Sequence, residues 1–162
     1  MEFEELLAHL SKASGLGPLK PDELHMVQFD AGGSVLTISG DPLTRNLVLY
    51  SEIGDLPPEG REAFYEQALK ANWLLKGGGG AVLAINPDTD ILTLNRMHPM
   101  ELLDGEGFVN LVRLFLEVLY SWRKLASDWR GALEAGTVNP SGGKRTPDDS
   151  PSPRLGDRAI WV

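Results

Sequence analysis

The residues of this chain that could carry chemistry are three histidines, two aspartates in one turn, a run of four glycines and a few serines. His9, His25 and His98 stand far apart in the sequence. A helical metal pair needs a second ligand one turn away at i+4, so that both donors share a face, and none of the three has one. Asp88 and Asp90 suggest calcium. They lack the alternating acids, central glycine and closing glutamate of a calcium loop, so Pro87-Asp88-Thr89-Asp90 reads as turn chemistry. Gly77–Gly80 invites comparison with a phosphate loop, but no Gly-Lys-Ser/Thr follows and the glycines precede a strand, not a helix. Gly142-Gly143-Lys144-Arg145-Thr146 fails the same test. Ser51, Ser121 and Ser127 have no nucleophile elbow around them. Carboxylates are plentiful, yet no pair is marked out for acid–base work. An enzyme is not expected.

Composition narrows the classes further. A chain of 162 residues suits one domain with a real core. Its formal net charge of −8 opposes nucleic-acid binding, which needs a basic face to release phosphate counterions, and opposes docking on anionic lipid. Without cysteine there is no disulfide and no thiolate site. The acidic start MEFEELLAHL is unlike a secretory signal, and the longest apolar run falls far short of the roughly 20 residues that span a bilayer. A soluble intracellular protein without membrane insertion is expected.

Periodicity supplies the elements. Phe3, Leu6, Leu7 and Leu10 follow the i, i+3, i+4, i+7 pattern of a short amphipathic helix over residues 2–14, stopped by Gly15, Gly17 and Pro18. Residues 24–30 and 35–39 read as strands joined by Ala31-Gly32-Gly33-Ser34, whose glycines accept the positive φ of a hairpin turn. A third strand, 46–53, puts Leu47, Leu49, Ser51 and Ile53 on one face. A helix opens at Leu56-Pro57-Pro58-Glu59, with Glu59 and Glu62 near its positive end and Lys70 and Lys76 near its negative one. Phe64, Ala68, Ala71 and Leu75 form its stripe, with Tyr65, Leu69 and Trp73 beside it. Strands 81–86 and 91–97 make a second hairpin. The last helix starts near Leu102 or Gly107 and runs to about Trp129. Its apolar surface is wider than one stripe, which asks for a second cover, either another subunit or a ligand.

The expected fold is therefore α+β, an antiparallel sheet packed by helices in the order α-β-β-β-α-β-β-α. Residues 1–130 form the domain. Residues 131–162 form a flexible tail rich in Gly, Pro and Ser, whose four acids and four bases cancel. The apolar Ala159-Ile160-Trp161-Val162 is odd in such a tail and is expected to dock on the domain, add to a sheet edge or serve as a recognition motif.

Several pieces, in this order, carry a resemblance: FEELLAHL, MVQFDAGGSVLTI, LVLYSEIGDLP, then ALKANWLLKGGGGAVLAINPDTDILTL and a helix closing LYSWRKLA. The most characteristic is the helix end Leu69, Ala71, Asn72 before the glycine link, followed by Trp122-Arg123. Over residues 1–130 the chain resembles the class I type III secretion chaperones, the family of the Tir and Yop effector chaperones. The tail is longer than most of that family carry. The resemblance implies a homodimer of the bacterial cytoplasm without enzymatic activity and without cofactor or metal. It implies a partner, the N-terminal region of a secreted effector, held extended and delivered to the secretion ATPase. Such cargo is gripped by backbone pairing at a sheet edge and by shallow apolar pockets. The candidates for the cargo groove are Leu6, Leu7, Leu10, Leu36, Ile38, Leu47 and Leu49, which serve equally well as helix-on-sheet core. Those for the dimer interface are Phe64, Ala68, Ala71, Trp73, Leu83 and Ile85. The competing expectation is a small dimeric adaptor or regulator of the same fold with no part in secretion.

Overall fold

Alternating apolar residues in the first half of the chain build three antiparallel strands, β1 (Met26–Asp30), β2 (Val35–Asp41) and β3 (Asn46–Gly54), in a computed structural model that describes residues 1–56 and 59–135. The β1–β2 turn is the expected one. Gly32 (φ 63°) and Gly33 (φ 81°) both sit in the left-handed region, and Ala31 and Ser34 exchange backbone hydrogen bonds of 2.8 and 3.3 Å. Strand β1 starts two residues later than predicted. Asp22 Oδ1 accepts from the backbone N–H of Leu24 and of Met26, which folds the approach to the strand into a loop.

The second half adds β4 (Val82–Ile85) and β5 (Leu92–Pro99), and all five strands join one antiparallel sheet in the order β1-β2-β3-β5-β4. The chain leaves β3, crosses through α2 (Arg61–Asn72) to the far edge, and returns beside β3 as β5. Register sets the faces. Ile38 faces Leu49, Leu36 faces Ser51, and Ser51 and Leu83 both face Leu94. These residues share one face, and it is buried. The other face carries Gln28, Val35, Met97 and Val82, all exposed.

Two helices cover the buried face. The first, α1 (Phe3–Ser14), turns in Phe3, Leu6, Leu7 and Leu10. Its start is tied by a reciprocal capping box between Glu2 and Glu5, and it ends on Gly15 at φ 70°. The other, α3 (Gly105–Glu134), begins at Asp104, whose carboxylate accepts from Gly107 N–H at 2.7 Å, and buries Phe108, Leu111, Val112, Phe115, Leu119 and Trp122. It is longer than predicted, so Arg130 lies inside it. Its far end holds α2: Phe64 meets Trp122 and Trp129 edge-on, at centroid distances of 6.0 and 5.8 Å. Arg123 and Arg130 donate to the carbonyls of Glu52 and Asp55, fastening the exit from β3.

Two expectations about α2 are corrected. The helix begins after Gly60 (φ 73°), so Glu59 precedes it and Glu62 alone supplies the acid of the first turn. It ends at Asn72, not near Lys76. One tight turn, Trp73–Leu75, follows, in which Leu74 and Leu75 both take φ 56°. That reversal throws Leu75 off the helical stripe and out to solvent. Pro57-Pro58 and the tail from Gly136 on, with its Ile160-Trp161-Val162, lie outside the described residues.

Candidate binding surfaces

The residues with chemical potential have structural work to do. His9 packs on the first turn of α3, where a side chain at Gly105 would meet its ring at 2.3 Å. Nδ1 of His98 pairs with the Pro99 carbonyl at 2.9 Å. Asn86, not the aspartates, organises the second hairpin turn: its Oδ1 accepts from Asp88 N–H and its carbonyl from Asp90 N–H. Among the described residues no group of three or more His, Cys, Asp or Glu is placed to hold a metal, and no helix is long and apolar enough to cross a membrane. The glycine run is a packing device. The Gly77 carbonyl accepts from Trp122 Nε1 at 3.0 Å, the Gly79 carbonyl accepts from Arg96, and a Cβ at Gly78 would stand 1.9 Å from the Ala81 carbonyl. Burial of Arg96 beside this loop lowers its pKa.

The seven residues expected to line a cargo groove, Leu6, Leu7, Leu10, Leu36, Ile38, Leu47 and Leu49, are all buried, five of the seven being sheet or helix leucines with no exposed surface at all. They interdigitate between α1 and the sheet, and of the seven only Leu10, 4% exposed, reaches a surface groove. Their burial matches the other use the sequence allowed, since helix-on-sheet core and an apolar groove use the same residue types at the same spacing.

Surface for a partner lies at the margins. One such margin is the seam between α1 and α3, an apolar groove of about 290 Å3 lined by Leu10, Ala13, Val109, Val112 and Leu116, with Arg113, Glu117 and Tyr120 at its mouth. Leu10 and Val112 form its buried floor, while Val109 and Leu116 remain half-buried. Tyr120 is fixed there by the 2.6 Å bond its hydroxyl donates to the Ala31 carbonyl.

A second margin is the end of α2 with β4. The expected interface residues divide. Phe64, Ala68 and Leu83 are buried in the core, and Ala71 is half-buried. Trp73 and Ile85 are exposed, Trp73 by 68%. Around them stand Leu69, Leu74 and Leu75, also exposed, while Val82 is exposed on the opposite face of the sheet. A monomer seldom leaves so many large apolar side chains uncovered in one stretch. Sequence reasoning set Leu75 on the buried stripe and passed over Leu74 and Val82. The one signal for them was the continuity of apolar residues, Trp73-Leu74-Leu75, past the helix end.

The sheet edges differ. On β4, the Asn72 side chain closes the middle of the edge: its Oδ1 accepts from Leu83 N–H and its Nδ2 donates to the Leu83 carbonyl, both at 2.9 Å. On β1, Asp22 closes the start in the same way, with its backbone N–H donating to the Met26 carbonyl and its carboxylate accepting from Met26 N–H. Alternation in an antiparallel ladder then turns the backbone groups of Gln28 and Asp30 outward, and they meet no other backbone group among the described residues.

Helix, three strands, helix, hairpin and long helix, with the glycine link and the Trp122 anchor, agree with a family model. The Tir chaperone protein (CesT) family matches residues 5–123. This chain belongs to that family. The resemblance read from the sequence therefore holds, from α1 to the Trp122-Arg123 turn of α3. No curated protein matches the chain. Among solved structures, the fold is shared with the ExsC–ExsE complex (TM-score 0.66, 19% identity, covering 76% of this chain and 92% of that one). It is shared with the HopA1–SchA chaperone–effector complex (TM-score 0.63, 20% identity, 75% and 93% covered). It is shared too with the Yersinia pestis type III secretion chaperone SycH bound to a fragment of YscM2 (TM-score 0.60, 17% identity, 75% and 99% covered).

Proposed function

We propose that this protein is a non-enzymatic chaperone of the bacterial cytoplasm that acts as a homodimer. It binds the N-terminal region of one or more type III secretion effectors, keeps that region extended, and presents it to the export apparatus and its ATPase. It uses no cofactor or metal. Membership of the Tir chaperone family carries the reading. Its support from chemistry is that the chain has two separate apolar surfaces where one would suffice for a simple dimer.

The two surfaces take different occupants. The α2–β4 face, with Trp73, Leu74, Leu75 and Ile85, is broad and rigidly backed by the core, as a second copy of the chain requires. The α1–α3 groove is small, about 290 Å3, and it accepts side chains from an extended segment. The nearby β1 edge offers Gln28 and Asp30 for a short stretch of backbone pairing, whereas Asn72 bars that mode at the centre of β4. The acidic surface favours a segment with basic residues.

Sedimentation and native mass spectrometry test both halves. The purified protein is expected to be a dimer, and Trp73→Glu with Leu75→Glu is expected to give a folded monomer. A dimer that survives both changes places the interface elsewhere. Effector N-terminal segments are expected to bind the dimer, and Leu116→Glu, at a half-buried position, is expected to weaken them without dissociating it. Binding that ignores Leu116→Glu removes the groove from the reading.

A further inference from the structure

The tail beyond α3 supplies an occupant for the α1–α3 groove. We propose that Ile160-Trp161-Val162 docks in this groove of its own chain and competes there with other ligands, a competition that rests on the groove being the cargo site proposed above.

Four observations on size, content, charge and reach converge. The groove, about 290 Å3 and almost wholly apolar, sits at the small end of ligand pockets and suits one or two large apolar side chains. From Gly136 to Pro153 the tail is dominated by glycine, proline and serine, and its one concentrated apolar piece is Ala159-Ile160-Trp161-Val162. Asp157 and Arg158 come immediately before that piece. At the groove mouth stand Arg113 and Glu117, one helical turn apart, and neither takes part in the three ion pairs among the described residues. One acid and one base on each side are complementary.

Reach is the quantitative argument. Helix α3 continues to Glu134, and Ala135 follows it. From Ala135 back to Leu116 is 19 residues, about 28 Å at the helical rise. Residues 136–159 are 24 residues, and a coil of that length has a root-mean-square span of about 27 Å. A tether whose natural span matches the distance gives the highest effective concentration, on the order of millimolar. A contact with a dissociation constant near millimolar is then occupied about half the time. It raises the apparent dissociation constant of a competing cargo roughly two-fold, and more if the contact is tighter. Such an intramolecular competitor weakens every ligand of the groove by the same small factor, which matters most for weak ones.

The absence of cysteine makes the test clean, because Ser152→Cys gives a single site for a nitroxide label. In the full-length labelled protein, amide signals of Ala13, Val109 and Leu116 are expected to broaden, and Trp161→Ser is expected to restore them. In parallel, an effector N-terminal segment is expected to bind the unlabelled Trp161→Ser protein at least two-fold more tightly than the parent. No broadening at the groove, or broadening that Trp161→Ser leaves in place, overturns the docking. Groove broadening that Trp161→Ser removes, with cargo affinity unchanged, keeps the docking and overturns the placement of cargo in the groove.

Discussion

Replacing Asn72 with alanine is expected to cost about 2–3 kcal/mol of stability. Asn72 is the last residue of α2, and its side-chain amide makes two hydrogen bonds of 2.9 Å to the backbone of Leu83 on β4. It behaves there as one residue of a sixth strand. Each bond contributes about 1 kcal/mol net, and Leu83 is only 5% exposed, so the N–H and C=O left behind are poorly hydrated and add to the loss. At this domain size 1 kcal/mol moves the melting temperature by about 3–4 °C, so the variant should melt some 8 °C below the parent. Urea unfolding at one fixed protein concentration is the assay, since a dimer's apparent stability depends on concentration. The midpoint should fall while the slope stays the same. Asn72→Asp is the sharper comparison. It keeps an acceptor for Leu83 N–H but turns a carboxylate oxygen toward the Leu83 carbonyl, so it should destabilise at least as much as alanine. A loss below about 0.5 kcal/mol for Asn72→Ala would refute the reasoning, because it would mean that water serves Leu83 as well as the amide does.

Three further outcomes follow from the same geometry. Gly40→Ala sets a Cβ about 2.6 Å from the Phe3 ring and should cost about 1–3 kcal/mol in urea unfolding, a loss that Phe3→Leu in the same chain should partly relieve. Leu6→Asp puts a charge at a fully buried site and should abolish the cooperative near-UV transition; a folded, cooperative Leu6→Asp protein would return Leu6 to the list of cargo contacts. Asp41 is held below the usual carboxylate range by the Thr44 hydroxyl first, then by the backbone N–H groups of Leu43 and Thr44. A depressed pKa stabilises the folded state above the unfolded-state pKa, and that contribution is lost as pH falls through the folded-state value. Carboxyl NMR should therefore find Asp41 titrating low and Thr44→Val raising it, and a normal midpoint for Asp41 would contradict the turn geometry.

The elements were legible because their signals are local. Alternation marked the strands, the 3.6-residue stripe marked α1, and paired glycines marked the β1–β2 turn. The end of α2 was not legible. Trp73-Leu74-Leu75 continues the apolar run whether or not the helix does, and the positive φ of two leucines has no local sequence signal. The long-range ties were invisible for a different reason. Tyr120 reaches Ala31, Trp122 reaches Gly77 and Arg130 reaches Asp55, and nothing in either segment announces the other. Asn72 is the intermediate case: its position in the helix-end motif pointed to a role, and the strand edge it closes supplies that role.

The candidate site was the least legible part, and packing explains why. Sheet leucines at every second position and helix leucines at i, i+3 and i+4 look the same whether they face each other or face cargo. Here α1 and α3 together cover the continuous apolar face of the sheet and leave open only the mixed opposite face with Gln28, Val35, Met97 and Val82, so the sheet leucines themselves are not available to an extended polypeptide. A protein that grips unfolded segments must keep some apolar surface uncovered, yet an open sheet face or a long bare edge would pair with other chains indiscriminately. This fold places its uncovered surface where the helices meet and where α2 ends. It closes the centre of one sheet edge with Asn72 and the start of the other with Asp22. What stays open is a groove for a few side chains beside two residues of free edge. Selectivity for a short extended segment then comes from the small volume of the groove and the shortness of the free edge beside it, and needs no buried polar contact.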